Sequence, residues 1–126
     1  MDQDMIENFL KNYGRAISTG DTSAIARCWE VPSLVLSDQG AVAVSEAAEI
    51  ERFFDQGRGW YLSQGLVETR PELNHVEGLS ERIAAVDVRW PAFDRAGVEK
   101  YSEHSYYILR LGDDGQPRIR AAITCA

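Results

Sequence analysis

The chain has 126 residues, 44% hydrophobic and 26% charged, enough to build one core without disulfide staples and too apolar for a disordered segment. Its net charge of −7 argues against nucleic acid and anionic membrane surfaces as partners, because clustered Lys and Arg recognise both. No apolar run approaches the ~20 residues that span a bilayer. The acidic start Met1-Asp2-Gln3-Asp4 is unlike a secretory leader, so a cytoplasmic location is expected, with Cys28 and Cys125 as reduced, buried thiols.

Met5, Ile6, Phe9, Leu10, Tyr13 and Ile17 recur at three- and four-residue spacing, which puts them on one face of a helix. Asp4 followed by Glu7 reads as a capping box, and Gly20 as the stop. Asp21 is placed to cap a short second helix, with Ile25, Cys28 and Trp29 on its inward side and Pro32 as its end. Ser33 to Ser37 and Ala41 to Val44 are strand-like runs around the turn Asp38-Gln39-Gly40. Ser45 reads as the N-cap of a third helix with Glu46 and Glu49 in its first turn. Ile50, Phe53, Phe54, Gly57, Trp60 and Tyr61 share one stripe of that helix. A glycine inside a helix costs ~1 kcal/mol against alanine, which predicts a close backbone contact at Gly57.

After Gly65 the period changes to two. Leu66 to Glu77 reads as a strand whose interior Pro71 predicts an edge or a bulge. Longer strands follow over Arg82 to Phe93, Val98 to Leu111 and Arg118 to Thr124, joined by the turns Asp94 to Gly97 and Gly112 to Gly115. Val86, Val88 and Trp90 alternate with Asp87 and Arg89, and Ile119, Ala121 and Ile123 with Arg118, Arg120 and Ala122. Each strand then has one face for the helices. The expected fold is a single α+β domain over residues 1–126, with three N-terminal helices packed on a strongly curved, mostly antiparallel sheet around an apolar pocket.

The stretch Tyr13-Gly14-Arg15-Ala16-Ile17-Ser18-Thr19-Gly20-Asp21, with Ile25 and Trp29 downstream, resembles the nuclear-transport-factor-two-like superfamily. So do the Asp38-Gln39-Gly40 hairpin, the Phe53-Phe54 helix, and Tyr107 to Leu111 leading through Gly115 to Arg118-Ile119. The resemblance spans nearly the whole chain and implies the cone-shaped, cystatin-like roll shared by ketosteroid isomerase and the SnoaL-like proteins. It also implies a homodimer through the outer sheet face. Against ketosteroid isomerase, Tyr13 matches the oxyanion-hole tyrosine, eight residues before the Asp of the Gly-Asp step. Ser37, with Asp38 one residue later, stands where the catalytic aspartate would be, and Tyr107 where a second, acidic donor would be.

Four residues are candidates for catalysis. Tyr13, on an apolar helical stripe, is either an oxyanion donor or a core tyrosine satisfied by backbone. Asp38 is either a general base, if the hairpin tip folds over the pocket mouth, or a turn aspartate bonding its own backbone. Tyr107 shares alternation with Tyr101, Glu103, Leu109 and Leu111, so all point inward if the leucines do. A one-residue slip would instead bring in His104 and Tyr106. His75 is either a proton carrier or a structural histidine.

Trp29, Phe53, Trp60, Tyr61 and Trp90, with Tyr101 and Glu103, are the candidate ligand-binding set; plain core packing is the alternative for the aromatics. Two distant histidines without His-x-x-x-His or Cys-x-x-Cys spacing predict no metal site. Ile83, Ala85, Tyr106, Ile108 and Ala122 among Asp87, Arg89, Arg110, Arg118 and Arg120 are expected on the outer sheet face, a mixed surface suited to an isologous dimer. The functional expectation is a SnoaL-like protein for a small apolar or aromatic metabolite. Any reaction would be isomerisation, dehydration or hydrolysis by acid/base chemistry without a cofactor. The alternative is a ligand-binding or dimerisation module without turnover.

Overall fold

The computed structural model describes residues 1–125. Helix α1 (Gln3–Thr19) begins at Asp2, whose carboxylate accepts from the Met5 N–H at 2.8 Å. The expected capping box at Asp4 is therefore displaced: Asp4 lies already in the first turn, where its charge meets the positive end of the helix dipole. Gly20 ends the helix in the left-handed region at φ 73°. Ile6, Leu10 and Tyr13 are at most 1% exposed, so the apolar stripe of α1 is core.

Helix α2 (Thr22–Arg27) is capped by Asp21, which accepts from Ala24 N–H at 3.1 Å. It stops earlier than the reading to Pro32. The Cys28 N–H closes the last turn on Ile25 O, and the Cys28 carbonyl accepts from Ile119 N–H at 2.8 Å, so Trp29 already belongs to a strand. Strand β1 (Trp29–Ser37) includes Pro32 and pairs with β2 (Gly40–Val44) through a two-residue turn. Helix α3 (Ala47–Ser63) starts one residue later than Ser45 would cap it. The Glu49 carboxylate instead reaches back to the Ser45 N–H at 3.4 Å. The close contact expected at Gly57 is absent: a Cβ there would meet nothing within 4 Å, because this part of α3 faces a hollow.

The strand expected over residues 66–77 is split at Pro71 into β3 (Glu68–Thr69) and β4 (Glu72–Gly78), both pairing with β5 (Ile83–Phe93). Proline cannot donate to a ladder, and the break falls where this edge bends. β6 (Glu99–Leu111) and β7 (Pro117–Cys125) complete a sheet ordered β2-β1-β7-β6-β5-β3, with β4 also on β5. All pairings are antiparallel except β1 with β7. Val86 and Val88 are fully buried and Trp90 nearly so, as their alternation predicts.

In β7 the alternation breaks. Leu109 pairs with Ile119 but Ile108 with Ala121, so Arg120 is an extra residue in the strand. The phase inverts beyond it: Ala122 joins Ile119 in the core, while Ile123 is 36% exposed. Ala122 is therefore corrected from the outer face to the inner one, and Ile123 the reverse.

The helical layer meets the sheet closely at Gly14. A Cβ there would lie 3.0 Å from Trp90 Cζ3 and 3.2 Å from Pro71 Cδ. Next to it, the Ser18 hydroxyl accepts from Thr69 N–H at 3.0 Å. Gly14→Ala is expected to overpack this contact and cost about 1–3 kcal/mol in urea unfolding. A variant as stable as the parent would contradict the close approach.

Candidate functional site

The curvature of the sheet leaves a cavity of about 1150 Å³ between its concave face and helices α1 and α3. Its floor is built by four aromatic residues from four elements: Tyr13 of α1, Trp29 of β1, Trp90 of β5 and Tyr107 of β6. Trp29 Nε1–H donates to the Tyr13 hydroxyl at 3.1 Å, and Trp90 Nε1–H donates to the Tyr107 hydroxyl at 2.9 Å. The Tyr13 ring meets those of Trp90 and Tyr107 edge-on, at 5.8 Å and 6.2 Å between centroids. An indole nitrogen can only donate, so each phenol oxygen accepts there and keeps its own O–H to give. Burial drives the Tyr13 phenol well above its ordinary pKa, with the neighbouring Tyr107 adding to the effect. Burial likewise pushes Tyr107 up to about 12. Both groups therefore stay protonated across neutral pH, each with an indole N–H held on its oxygen.

The mouth carries a second group. Trp60 and Tyr61 of α3 and Tyr101 of β6 pack edge-to-face, with centroids 5.3–6.0 Å apart. The Tyr61 hydroxyl donates to Glu103 Oε1 at 2.6 Å, a length expected for a charge-assisted bond to a carboxylate. Burial, and then that bond, raise the Tyr61 pKa strongly, so the phenol remains the donor. Glu103 is half-buried and forms no ion pair among the described residues.

The inward reading of Tyr101, Glu103 and Tyr107 matches this geometry; Tyr106 is not among the cavity walls, whereas His104, whose Nε2 meets Asp87 Oδ1, also borders the cavity. Phe53 and Trp60 stand at the rim, 66% and 47% exposed, whereas Ile50 is buried. Asp38 and His75 are not brought to the cavity. Ser37 pairs directly with Gly40, so the hairpin is too tight for its tip to fold over the mouth, and Asp38 is exposed. The turn bond expected of Asp38 is made by Ser37, whose hydroxyl accepts from Gln39 N–H at 3.3 Å. His75 pairs with Asp87 on the outward face, because Leu73 and Val76 take the inward positions on either side of an extra residue at Asn74.

The sequence reading named the partners in all three aromatic hydrogen bonds but none of the pairings. They join residues 16, 17 and 42 positions apart, and no local spacing encodes them. It also missed Val35, Val42 and Val44, which wall the cavity from the β1–β2 hairpin and whose alternation was readable. Among the described residues no cluster of three His, Cys, Asp or Glu is arranged to hold a metal, and no helix is long and apolar enough to cross a membrane.

Three helices closing a curved, open sheet over an apolar hollow define the cone-shaped α+β class with a cystatin-like fold. The chain belongs to the family described as NTF2-like protein (DUF6841), whose model matches residues 2–126. It is similar in structure to an NTF-2-like protein of unknown function from Shewanella oneidensis MR-1, with 19% identity, 98% of each chain covered and a TM-score of 0.76. An NTF2-like protein with a cystatin-like fold from Novosphingobium aromaticivorans gives 16% identity, 98% of this chain and 80% of that one, and a TM-score of 0.72. A ketosteroid isomerase-like protein from Erwinia carotovora atroseptica SCRI1043 gives 14% identity, coverage of 98% and 96%, and a TM-score of 0.67. At such identities the likeness establishes the fold alone. No curated protein matches the chain in sequence.

The buried phenols make stability depend on alkaline pH. Their folded pKa values lie above the unfolded value of about 10, so both states hold the proton below that pH and stability is flat. Above it the unfolded chain ionises first, and stability falls as pH climbs from about 10 towards 12. Urea midpoints should therefore drop between about pH 9 and about pH 11, and Tyr107→Phe should show a shallower drop. Equal slopes for parent and variant would remove Tyr107 as a cause.

Proposed function

We propose that the cavity binds a small, largely apolar molecule bearing a carbonyl-type oxygen and moves a proton on it without a cofactor. The observation that carries this reading is the placement of two indole-backed phenols on the floor and one carboxylate at the mouth of a single apolar hollow. Tyr13 and Tyr107 would donate to the oxygen as negative charge develops on it. Glu103, oriented by Tyr61, would accept the proton from the adjacent carbon, the role assigned from sequence to Asp38 or His75. The electron pair of the C–H bond moves into the enolate, and the proton returns from Glu103 to carbon at the end. Enolate formation of this kind is common to isomerisations and many dehydrations. The ketosteroid isomerase-like neighbour is compatible with it.

Exchange of the methyl protons of acetophenone in D2O, followed by NMR, tests the reading directly. The parent protein is expected to exceed the buffer rate, and Glu103→Gln and Tyr13→Phe should each cut the acceleration ~10²-fold or more. Asp38→Asn and His75→Gln should leave it unchanged, because both side chains lie outside the cavity. A parent rate equal to buffer rules out proton transfer.

We also propose that the outer sheet face joins two copies of the chain. Leu36, Ile123 and Tyr106 lie in one cross-strand row and Leu34, Ala121, Ile108 and Ala85 in the next. Leu34, Tyr106 and Ile123 are 36–38% exposed. Beside these rows Glu30 pairs with Arg120 at 2.9 Å through Oε1, while its Oε2 is buried without any hydrogen-bond partner. Sedimentation should show a species of about twice 14.1 kDa at micromolar concentration. Leu34→Asp together with Ile123→Asp should return the monomer; a monomeric parent refutes the interface.

A further inference from the structure

The charge balance of the cavity differs from the ketone-binding cavity its apolar walls suggest. Five ionisable side chains of fixed sign line it: Glu49, Glu68, Glu103, Arg58 and Arg89. Four are engaged elsewhere. Arg58 donates to the Ser18 carbonyl at 2.7 Å, at the negative end of α1. Arg89 is held between Glu72 and Glu99. Glu68 pairs with Arg70, and Glu49 accepts from Ser45 N–H. Glu103, Glu49 and Arg58 form no ion pair among the described residues, and of these Glu103 is the one bonded into the aromatic cluster of the mouth, through the Tyr61 hydroxyl.

Around that carboxylate stand Trp60, Tyr61 and Tyr101. Aromatic faces attract a cation through the ring quadrupole, and they do so more strongly where water is thinned. A half-buried anion beside them adds a Coulombic term in the same direction. The net charge of −7 extends a field of that sign beyond the mouth. The opposite class of ligand, an apolar carboxylate, would meet that carboxylate, while Arg89 is held by Glu72 and Glu99 and Arg58 is turned to the carbonyls that end α1.

We propose that this cavity selects an organic cation: an apolar body carrying a substituted ammonium group, held at the mouth between Glu103 and the faces of Trp60 and Tyr101. The proposal deepens the pocket reading by naming the ligand class. It rests on the cavity being a binding site, and it holds whether or not proton transfer occurs. The ammonium occupies the rim, Oε2 of Glu103 faces it, and the apolar body runs inward towards Phe54 and the phenols of the floor. The selection is electrostatic and needs no change in the fold.

Three probes built on one benzyl body test it by ligand-observed NMR titration: benzyltrimethylammonium, its uncharged carbon isostere neopentylbenzene, and the anion phenylacetate. Benzyltrimethylammonium is expected to bind at least ~10-fold more tightly than phenylacetate and several-fold more tightly than neopentylbenzene. Glu103→Gln should remove most of the preference over phenylacetate while leaving neopentylbenzene affinity unchanged. Should that variant fail to fold, Tyr101→Leu, at a ring already 39% exposed, serves in its place and should weaken the cation more than the isostere. Tighter or equal binding of phenylacetate overturns the proposal, as does no binding of the ammonium. Acetophenone exchange without ammonium preference would sink this inference and leave the proton-transfer reading standing; the converse result would do the opposite.

Discussion

Tyr13 is where helix, sheet and cavity meet, and most of the architecture depends on it being there. Its ring sits on the buried stripe of α1, contacts Phe54 of α3 edge-on, and does the same to Trp90 and Tyr107 of the sheet. Its hydroxyl takes the indole hydrogen of Trp29, the first residue of β1. One side chain thus ties α1 to three strands and the third helix. The next residue, Gly14, permits the approach by offering no Cβ to Trp90. A helix that stood an ångström or two further off would lose both the edge contacts and the floor of the cavity.

The polar groups on that floor are compatible with its burial because they satisfy one another. An unpaired indole N–H or phenol in an apolar setting costs free energy of about 1–3 kcal/mol. Pairing Trp29 with Tyr13 and Trp90 with Tyr107 removes that cost for both indoles and leaves two hydroxyl hydrogens directed by packed rings. The same pairs that make a stable floor make it a polarised one. The groups that would polarise a ligand on the floor are thus the same ones that hold the elements together.

Much of this was legible in the chain. The three-and-four spacing from Met5 to Ile17 gave α1 its buried face, and Val86, Val88 and Trp90 gave β5 its inward side, because each pattern has a single solution. β7 was misread beyond Arg120 since Ala121, Ala122 and Ile123 are all apolar, so neither phase is excluded and the bulge leaves no mark in composition. The stripe of α3 was found, but a cavity wall and a core face have the same residues. Whether Phe53 and Trp60 pack or line a hollow depends on the curvature of a sheet 30 to 70 residues further along. The reading placed the proton carrier at Asp38 or His75 on local grounds, whereas the carboxylate that shares the cavity with the phenols is Glu103, set there by long-range pairing.

The position of Glu103 on β6 also explains how mouth and floor are coupled. Tyr101, Glu103, Ser105, Tyr107 and Leu109 form one inward row on a single strand, running from the exposed rim to the fully buried core. A strand advances about 3.4 Å per residue, so the carboxylate and the floor phenol stand roughly 13 Å apart at their Cα atoms, and their long side chains shorten the gap. Because both groups ride on the same strand, pinned on each side by β5 and β7, their separation is fixed by covalent geometry and not by loop conformation. Substitutions along this row would reshape the cavity walls while leaving the ladders of the cone in place.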